Sequence, residues 1–343
     1  MDVQNSLLMR TIRGEEVERA PIWIMRQAGR YMPEYQAIRK NISFLDLCKD
    51  VDKATEVTML PMDMLDVDAA IVFSDILIPA EAMGFDVSFG NGGPKISNPV
   101  REASDLKRVH IPDPATEYPW ALETIQRVQA QIDGRPCLGF AGAPFTMASY
   151  VIEGQTSKSF NKIKALMYHS PDVVHRLLEM ITETVGVYLE AQLDAGAPAV
   201  QLFDTWAGSL SRADYEIFAL PYQQQIFKRL KGKGATVIYV NGSNGRLDLL
   251  DRTGADVVSL DWRTPFAEAR ETLGKERIIQ GNLEPCSLYA PPEKIEEMAI
   301  SLLEEAGPDR HVFNLGHGIL PDVPVPHAQA LVNAVRSYRY PGR

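Results

Sequence analysis

The chain has 343 residues, of which 45% are hydrophobic and 23% are charged, a composition typical of globular proteins. Its formal net charge of −10 argues against a general binder of nucleic-acid phosphates, which would need a basic surface. The cysteines Cys48, Cys137 and Cys286 contain no Cys-x-x-Cys pair, which fits a reducing cytoplasm without a disulfide framework. No apolar stretch approaches the roughly eighteen residues of a membrane span, so we expect no membrane-spanning segment.

Short apolar runs alternate with helical patterns along the chain. Each run is bounded by turn residues, as is typical of parallel strands that are buried on both faces. Eight strand–helix repeats predict an α/β fold, a single (β/α)8 barrel over residues 1–343, with functional groups at the C-terminal strand ends. The predicted strands lie near residues 22–25, 68–73, 137–140, 199–203, 236–240, 256–260, 277–280 and 311–314.

The segment after Ser170 illustrates the predicted helices. Ser170 is placed to cap the helix, and Pro171 suits its first turn. The alternation alone also allows a doubly wound open sheet, but no Gly-x-Gly-x-x-Gly follows any strand. The cluster at residues 90–94 lacks the lysine and hydroxyl of a phosphate loop and is predicted to be a turn. The helix after Ser170 would bury one apolar stripe, formed by Val174, Leu177, Leu178, Ile181, Val185 and Leu189.

Polar residues directly follow several predicted strands. Because the carboxyl ends of parallel strands meet at one mouth of a barrel, we expect cations, carboxylates, hydroxyls and a histidine to converge there. The residues in question are Arg26, Arg30, Ser74, Asp75, Asp204, Thr205, Asp261 and His317, with Tyr150 a little further along the chain after the third strand.

Each of these residues also has a purely structural interpretation. In an acidic chain, the pair Arg26 and Arg30 predicts a carboxylate or phosphate site, although one arginine could simply pair with an acid such as Glu34. Asp75 could cap the next helix. The glycines on both sides of His317 favour close backbone approach to a ligand. Tyr150 could belong to the core, and Thr205 could cap a helix.

Metal and nucleophilic chemistry have no support in the sequence. No His-Glu-x-x-His, no His-x-Cys and no cysteine pair at ligand spacing occurs, so no metal site is predicted. No Gly-x-Ser-x-Gly segment marks a serine nucleophile. The remaining chemistry is acid, base and electrostatic catalysis on an anionic substrate.

Five segments are distinctive: MRQAGRY at 25–31 followed by Pro33-Glu34, FSDIL at 73–77, GFAGAPFT at 139–146, LFDTWAG at 202–208 and NLGHG at 314–318. In this order, and over nearly the whole chain, they resemble the uroporphyrinogen decarboxylase family. The resemblance implies a distorted (β/α)8 barrel, usually a homodimer, that uses no metal or organic cofactor. It implies conversion of uroporphyrinogen III to coproporphyrinogen III by decarboxylation of four acetate side chains.

The resemblance also implies roles for individual residues. Arg26 and Arg30 match arginines that bind substrate carboxylates, and Asp75 matches the acid that contacts the pyrrole N–H groups. Arg39 matches an arginine proposed as a proton donor, and Thr205 stands where many relatives have serine. The implied catalytic residues are Asp75, Arg26 and Arg39, and the implied substrate-binding residues are Arg26, Gln27, Ala28, Gly29, Arg30, Asp75, Tyr150, Thr205 and His317.

Physical chemistry agrees with this assignment. Protonation of a pyrrole carbon makes the ring cationic, so the substrate itself supplies the electron sink that decarboxylation needs, and a fixed carboxylate stabilises that cation. Two alternatives remain. Related corrinoid-dependent methyltransferases carry a zinc-binding His-x-Cys where this chain has residues 239–243 without either ligand. A non-catalytic tetrapyrrole-binding protein would need the arginines but not Asp75.

Overall fold

The computed structural model describes residues 2–90 and 93–340. Seven of its strands form one parallel sheet in the order β1-β4-β5-β6-β7-β8-β9, and the other two form an antiparallel hairpin. The α/β class and the barrel-like architecture predicted from the sequence are therefore confirmed. The strands are β1 Ala70–Ile71, β2 Val87–Gly90, β3 Gly93–Ile96, β4 Cys137–Gly142, β5 Ala199–Phe203, β6 Ala235–Tyr239, β7 Val257–Ser259, β8 Ile278–Gln280 and β9 His311–Val312.

The first predicted strand, at residues 22–25, is not a strand in the structure. Only Ile22 forms a bridge, parallel to Phe313 beyond β9. On one side Phe313 N donates to Pro21 O at 2.8 Å, and on the other Asp68 N donates to Ile22 O at 2.8 Å. This short extended segment therefore joins the two edge strands of the sheet, β1 and β9, and takes the place of the eighth strand.

Helices alternate with the strands, and α4, α7 and α10 pack on β1, β4 and β5. Within the described ranges, no helix combines the length and apolarity needed to cross a membrane. The helices are α1 Leu7–Ile12, α2 Pro33–Arg39, α3 Phe44–Lys49, α4 Val51–Met64, α5 Ile78–Ala82, α6 Pro114–Glu117, α7 Pro119–Gln129, α8 Pro144–Glu153, α9 Asn161–His169, α10 Pro171–Asp194, α11 Arg212–Phe218, α12 Leu220–Leu230, α13 Leu247–Asp251, α14 Phe266–Leu273, α15 Pro292–Ala306 and α16 Val325–Ser337.

Helix α10 confirms the predicted stripe but not the predicted cap. All six apolar residues of the stripe are buried, and Pro171 is the first helical residue. The Ser170 side chain makes no capping hydrogen bond. A serine cap stabilises a helix by about 1 kcal/mol, whereas full burial of one large aliphatic side chain contributes roughly 1.5–3 kcal/mol. Packing on the sheet therefore holds this helix without the cap.

The hairpin of β2 and β3 was not predicted from the sequence. The predicted turn at residues 90–94 includes Asn91 and Gly92, which lie outside the described residues. Its other members belong to paired strands, with Gly90 opposite Gly93. The Phe89 ring lies 4.8 Å from that of Phe44, whose ring in turn lies 5.7 Å from that of Phe73. The hairpin is thus packed beside the C-terminal end of β1.

Asp68 links the first segment of the barrel to β1, and its replacement by Asn is expected to lower the free energy of unfolding by about 3 kcal/mol. Both carboxylate oxygens accept from Arg19 at 2.7 Å, and Oδ2 also accepts from Ile22 N at 2.8 Å. The side chains of Arg19 and Asp68 are only 12% and 9% exposed, so the variant leaves a largely buried guanidinium without its paired carboxylate. Urea unfolding of both proteins measures the difference.

Asp66→Asn is the matched control. Asp66 is 63% exposed and pairs with Arg135 and Arg336 at the surface, where such pairs contribute less than about 1 kcal/mol. Equal losses of stability in the Asp66 and Asp68 variants would contradict the proposed role of the buried pair.

Candidate active site

Arg26 occupies an unusual backbone position at the barrel mouth. Its φ is +65°, in the left-handed region that residues other than glycine rarely adopt. The Arg26 side chain runs across Gly318, where an added Cβ would lie 2.3 Å from Arg26 Cδ. Ile319 N donates to Met25 O at 2.9 Å and fixes the two segments against each other. The exposed Arg26 side chain is therefore placed by the loop after β9.

The positive charge of Arg26 acts on three of the predicted site residues. Burial raises the pKa of Asp75 and of Tyr150, and the Arg26 charge opposes both rises. For His317, burial and the Arg26 charge both lower the pKa. The structure therefore brings Asp75, Tyr150 and His317, from three different segments, within electrostatic reach of Arg26. Among the ion pairs of the described residues, none joins Arg26 to Asp75 or to Glu34, so the surface-pair alternative for Arg26 is wrong.

Asp75 lies just beyond β1 and is only partly exposed. Burial raises the pKa of Asp75 to about 6, although the Leu77 N–H and the Arg26 charge oppose this rise. Its Oδ1 accepts from Leu77 N at 2.8 Å, so Asp75 does support the start of α5. Oδ2 takes part in no hydrogen bond between described residues. One oxygen thus holds the loop, while the other is left for a ligand.

His317 is held as a neutral imidazole. Burial, together with the charges of Arg26 and Arg263, lowers the pKa of His317 to about 4. Nδ1 accepts from Gly318 N at 2.6 Å, which leaves the proton on Nε2 as a hydrogen-bond donor. The ring of Tyr239 meets that of His317 edge-on with 6.1 Å between centroids. His317 can therefore donate to a ligand oxygen without adding positive charge.

The glycines beside His317 serve a different purpose from the predicted one. We expected them to allow close approach of a ligand to the backbone. Instead, Gly318 makes room for the Arg26 side chain, and a Cβ on Gly316 would lie 2.3 Å from Trp262 N. Both glycines are required by contacts between neighbouring parts of the protein.

The segment between Arg26 and Arg30 contains one structural side chain, that of Gln27, and a run of backbone N–H groups suited to an anion. Gln27 is fully buried, and its side chain bonds to Ile24 N and to Ala69 O, both at 3.0 Å. The Gln27 side chain is thus unavailable to a ligand. The backbone N–H groups of Ala28, Gly29 and Arg30 donate to no acceptor in the described residues. Successive free N–H groups form a concave site suited to a carboxylate.

Arg30 and Arg39 lie together beside Tyr35. They line a cleft of about 390 Å³ that also includes Gln36, Lys40 and Pro321. Arg39 Nη1 donates to Ile42 O. Burial raises the pKa of Tyr35, and the charges of both arginines oppose this rise. The two arginines form a second cationic group, next to the segment that carries Arg26.

Tyr150 and Thr205 lie on adjoining segments. Tyr150 is partly buried in α8, and its ring lies 6.0 Å from that of Trp206. Thr205 is half-buried, makes no capping hydrogen bond, and forms no other hydrogen bond within the described part of the chain. The core interpretation of Tyr150 is only partly right, and the capping interpretation of Thr205 is wrong.

Two acids predicted at the mouth are structural. Asp204 is fully buried and accepts from Thr146 Oγ1 and from Gln223 Nε2, both at 2.7 Å. Asp261 is also fully buried and accepts from Gly242 N at 2.6 Å. These carboxylates fix the loops after β5 and β7 and do not face a ligand.

A larger cavity lies at the opposite end of the barrel. Its volume is about 730 Å³, and it includes Pro198, Thr236 and Asp256 at the N-terminal ends of β5, β6 and β7. None of the predicted site residues lines it. Across the described residues, no group of three or more His, Cys, Asp or Glu side chains is arranged to hold a metal ion. The candidate site is therefore the mouth around Arg26.

Comparison with known sequences covers almost the whole chain. The family model described as "Uroporphyrinogen decarboxylase (URO-D)" matches residues 3–338. A uroporphyrinogen decarboxylase from Myxococcus xanthus is 48% identical over 336 residues, which is 97% of each chain. Another, from Hydrogenovibrio crunogenus, is 42% identical over 343 aligned residues, again 97% of each chain.

Comparison with solved structures supports the fold alone. A methyltransferase from Methanosarcina mazei superposes with a TM-score of 0.82 at 20% identity and covers 98% of both chains. A B12-independent methionine synthase from Shewanella sp. gives a TM-score of 0.56 at 10% identity, covering 94% of this chain and 96% of that one. At such identities the likeness does not extend to activity, so the methyltransferase alternative gains no support from it.

Proposed function

Because the chain belongs to the uroporphyrinogen decarboxylase family, we propose that it decarboxylates the four acetate side chains of uroporphyrinogen III to give coproporphyrinogen III. One observation in the structure carries the proposal. The charge of Arg26 acts on Asp75 and opposes the rise in the pKa of that carboxyl group, yet the two side chains form no ion pair within the described part of the chain. Both groups are therefore available to a substrate that carries carboxylates and becomes cationic during the reaction.

The site residues divide the work between binding and charge stabilisation. Asp75 Oδ2 accepts from the pyrrole N–H groups and stabilises the ring cation that forms when a pyrrole carbon is protonated. Arg26, Arg30 and the backbone N–H groups between them hold the substrate carboxylates in position. They must not stabilise the departing carboxylate itself, since that would favour the ground state over the transition state.

The remaining site residues complete the proposed pocket. His317 donates from Nε2, and Thr205 and Tyr150 offer hydroxyl groups at the mouth. Arg39 is proposed to act during proton delivery to the pyrrole carbon. A guanidinium has a pKa above about 12, so Arg39 is better suited to orienting a proton source than to losing its own proton.

Anaerobic incubation with uroporphyrinogen III tests the function directly. We expect products with stepwise fewer carboxylates, ending at coproporphyrinogen III, when the porphyrins are oxidised and separated by chromatography. An unchanged substrate profile from well-folded protein would rule out the decarboxylase. Binding of the substrate without release of carbon dioxide would identify a non-catalytic tetrapyrrole-binding protein instead.

The proposed role of Asp75 predicts the pH dependence of kcat/KM. The ionised carboxylate is the active form, and its pKa is raised to about 6, so kcat/KM should fall about tenfold per pH unit below pH 6. His317 has a pKa lowered to about 4 and is neutral over this range. Rates measured between pH 4.5 and 8 test this. His317→Gln should leave the midpoint unchanged, and a midpoint below pH 5 would contradict the assignment.

We further propose that residues 1–343 form one barrel domain and that the protein acts as a homodimer in the cytoplasm. The family resemblance supports the homodimer, and the unpaired cysteines support a reducing compartment. Light scattering at several protein concentrations would measure the mass in solution.

A further inference from the structure

Arg263 lies in the loop after β7, on the same side of the barrel as the candidate site. Its side chain is 48% exposed, whereas its partner Asp261 is completely buried. Nη1 of Arg263 donates to Asp261 Oδ2 at 2.5 Å and to Asn241 Oδ1 at 3.0 Å. The guanidinium carbon lies 3.9 Å from the centre of the Trp262 ring. Two acceptors and one aromatic face thus hold this guanidinium in one orientation.

The polar contacts of the Arg263 guanidinium use only one of its three nitrogen atoms. Both hydrogen bonds and the ion pair use Nη1, and Nε and Nη2 donate to nothing in the described ranges of the chain. An arginine presents its N–H groups as a planar fork that matches the two oxygens of a carboxylate. Because the fork is already fixed, binding an anion on its free edge costs little side-chain entropy.

Arg263 is adjacent to the loop that carries His317. A Cβ on Gly316 would lie 2.3 Å from Trp262 N, so the segment before His317 rests directly on the segment before Arg263. The charge of Arg263 also contributes to lowering the pKa of His317, as does the charge of Arg26. His317 is therefore influenced by two arginines that come from different loops, Arg26 near β1 and Arg263 after β7.

We propose that Arg263 binds a peripheral carboxylate of the substrate through Nε and Nη2, on the β7 side of the mouth. This inference rests on the proposed function, because it assumes a substrate that bears carboxylates around a large ring. Uroporphyrinogen carries one acetate and one propionate on each of four pyrroles. Arginines on one side of the ring alone cannot reach all of them. Arg263 would be a specificity-determining contact and takes no part in the chemical step.

The ion pair with the buried Asp261 still allows Arg263 to bind a carboxylate of the substrate. Asp261 also accepts hydrogen bonds from the backbone N–H groups of Gly242 and Arg263. Backbone donors therefore also stabilise the Asp261 carboxylate, in addition to the Arg263 guanidinium. The same contacts keep Asp261 satisfied if the arginine is replaced, so Arg263→Gln is expected to fold.

The test compares Arg263→Gln with the unchanged enzyme under anaerobic steady-state turnover of uroporphyrinogen III. We expect KM to rise about tenfold while kcat stays within about twofold, because the contact is equal in the ground and transition states. Arg263→Lys keeps the charge but loses the fork, and its KM should rise about threefold. The control is Arg252→Gln, since Arg252 is 55% exposed and paired with Glu216 outside the candidate site. Its KM should not change.

The outcomes separate this inference from the proposed function. If the unchanged protein does not decarboxylate uroporphyrinogen III, the proposed function fails, and this inference fails with it. If the unchanged protein is active and both Arg263 variants keep its KM, only the role of Arg263 is overturned. A fall in kcat at constant KM would also overturn it. Should Arg263→Gln lower the thermal midpoint, Arg263→Lys decides alone, and an unchanged KM in that variant refutes the proposal.

Discussion

Asp75→Asn is expected to fold like the unchanged protein and to lose at least about 100-fold in kcat. A preorganised group that faces developing charge contributes roughly 3–4 kcal/mol to transition-state stabilisation, and each 1.36 kcal/mol is tenfold in rate. The asparagine oxygen can still accept from Leu77 N, as Asp75 Oδ1 does at 2.8 Å. The amide that replaces Oδ2 carries no charge and cannot stabilise a cationic pyrrole. Anaerobic assays that are stopped at fixed times measure kcat. Thermal unfolding of both proteins shows whether the variant is folded.

Asp113→Asn is the matched control for this experiment. Asp113 Oδ1 accepts from the backbone N–H of Ala115, two residues further along the chain, at 3.0 Å. This is the same local arrangement as at Asp75. However, Asp113 is exposed and caps the N-terminus of α6. Its variant should keep full activity. Wild-type turnover in Asp75→Asn would show that the carboxylate charge is not used. A large loss in both variants would point to a local backbone effect.

Strands were predicted well from the sequence where the local residue pattern is sufficient to indicate a strand. The fifth strand, β5, has the predicted bounds of 199–203, and all five of its residues are buried, as is typical of a central strand in a parallel sheet. The segment at 22–25 was also predicted to be a strand and is not one in the structure. Its pairing depends on Phe313, about 290 positions away, and only Ile22 finds a partner there. The hairpin at β2 and β3 was missed because both strands have only four residues. The residues of β2 alternate between partly buried and exposed without any being buried, and those of β3 do not alternate.

The same limit applies to the candidate site. From their positions at strand ends, Arg26, Asp75 and His317 were predicted to lie at one mouth of the barrel, and the structure places them there. The reason is that a barrel brings all C-terminal strand ends together. Strand position does not tell which way a side chain turns. Asp204 and Asp261 also follow strands, yet both point into the protein and hold loops. Which strand-end acids face the cleft depends on distant donors such as Gln223, which no local pattern indicates.

Arg26→Gln is expected to lower kcat/KM for uroporphyrinogen III about 100-fold, chiefly through KM. A charged hydrogen bond contributes about 1.5–3 kcal/mol, and the charge of Arg26 acts on the pKa of three candidate site residues, Asp75, Tyr150 and His317. Removal of its charge also removes one cause that lowers the pKa of Asp75. The acid limb of the pH profile should therefore move to higher pH. An unmoved midpoint would contradict the closeness of the two groups in solution.

Gly318→Ala tests whether the loop after β9 sets the position of Arg26, and we expect it to lower kcat/KM about tenfold. The new Cβ would lie 2.3 Å from Arg26 Cδ, so the flexible side chain must move away. Gly318 has no positive φ, hence alanine should fit its backbone and the fold should survive. If the loss acts through Arg26, adding Gly318→Ala to Arg26→Gln should cost less than about twofold more. Two independent, multiplying losses would instead mean that Gly318 affects the site by another route.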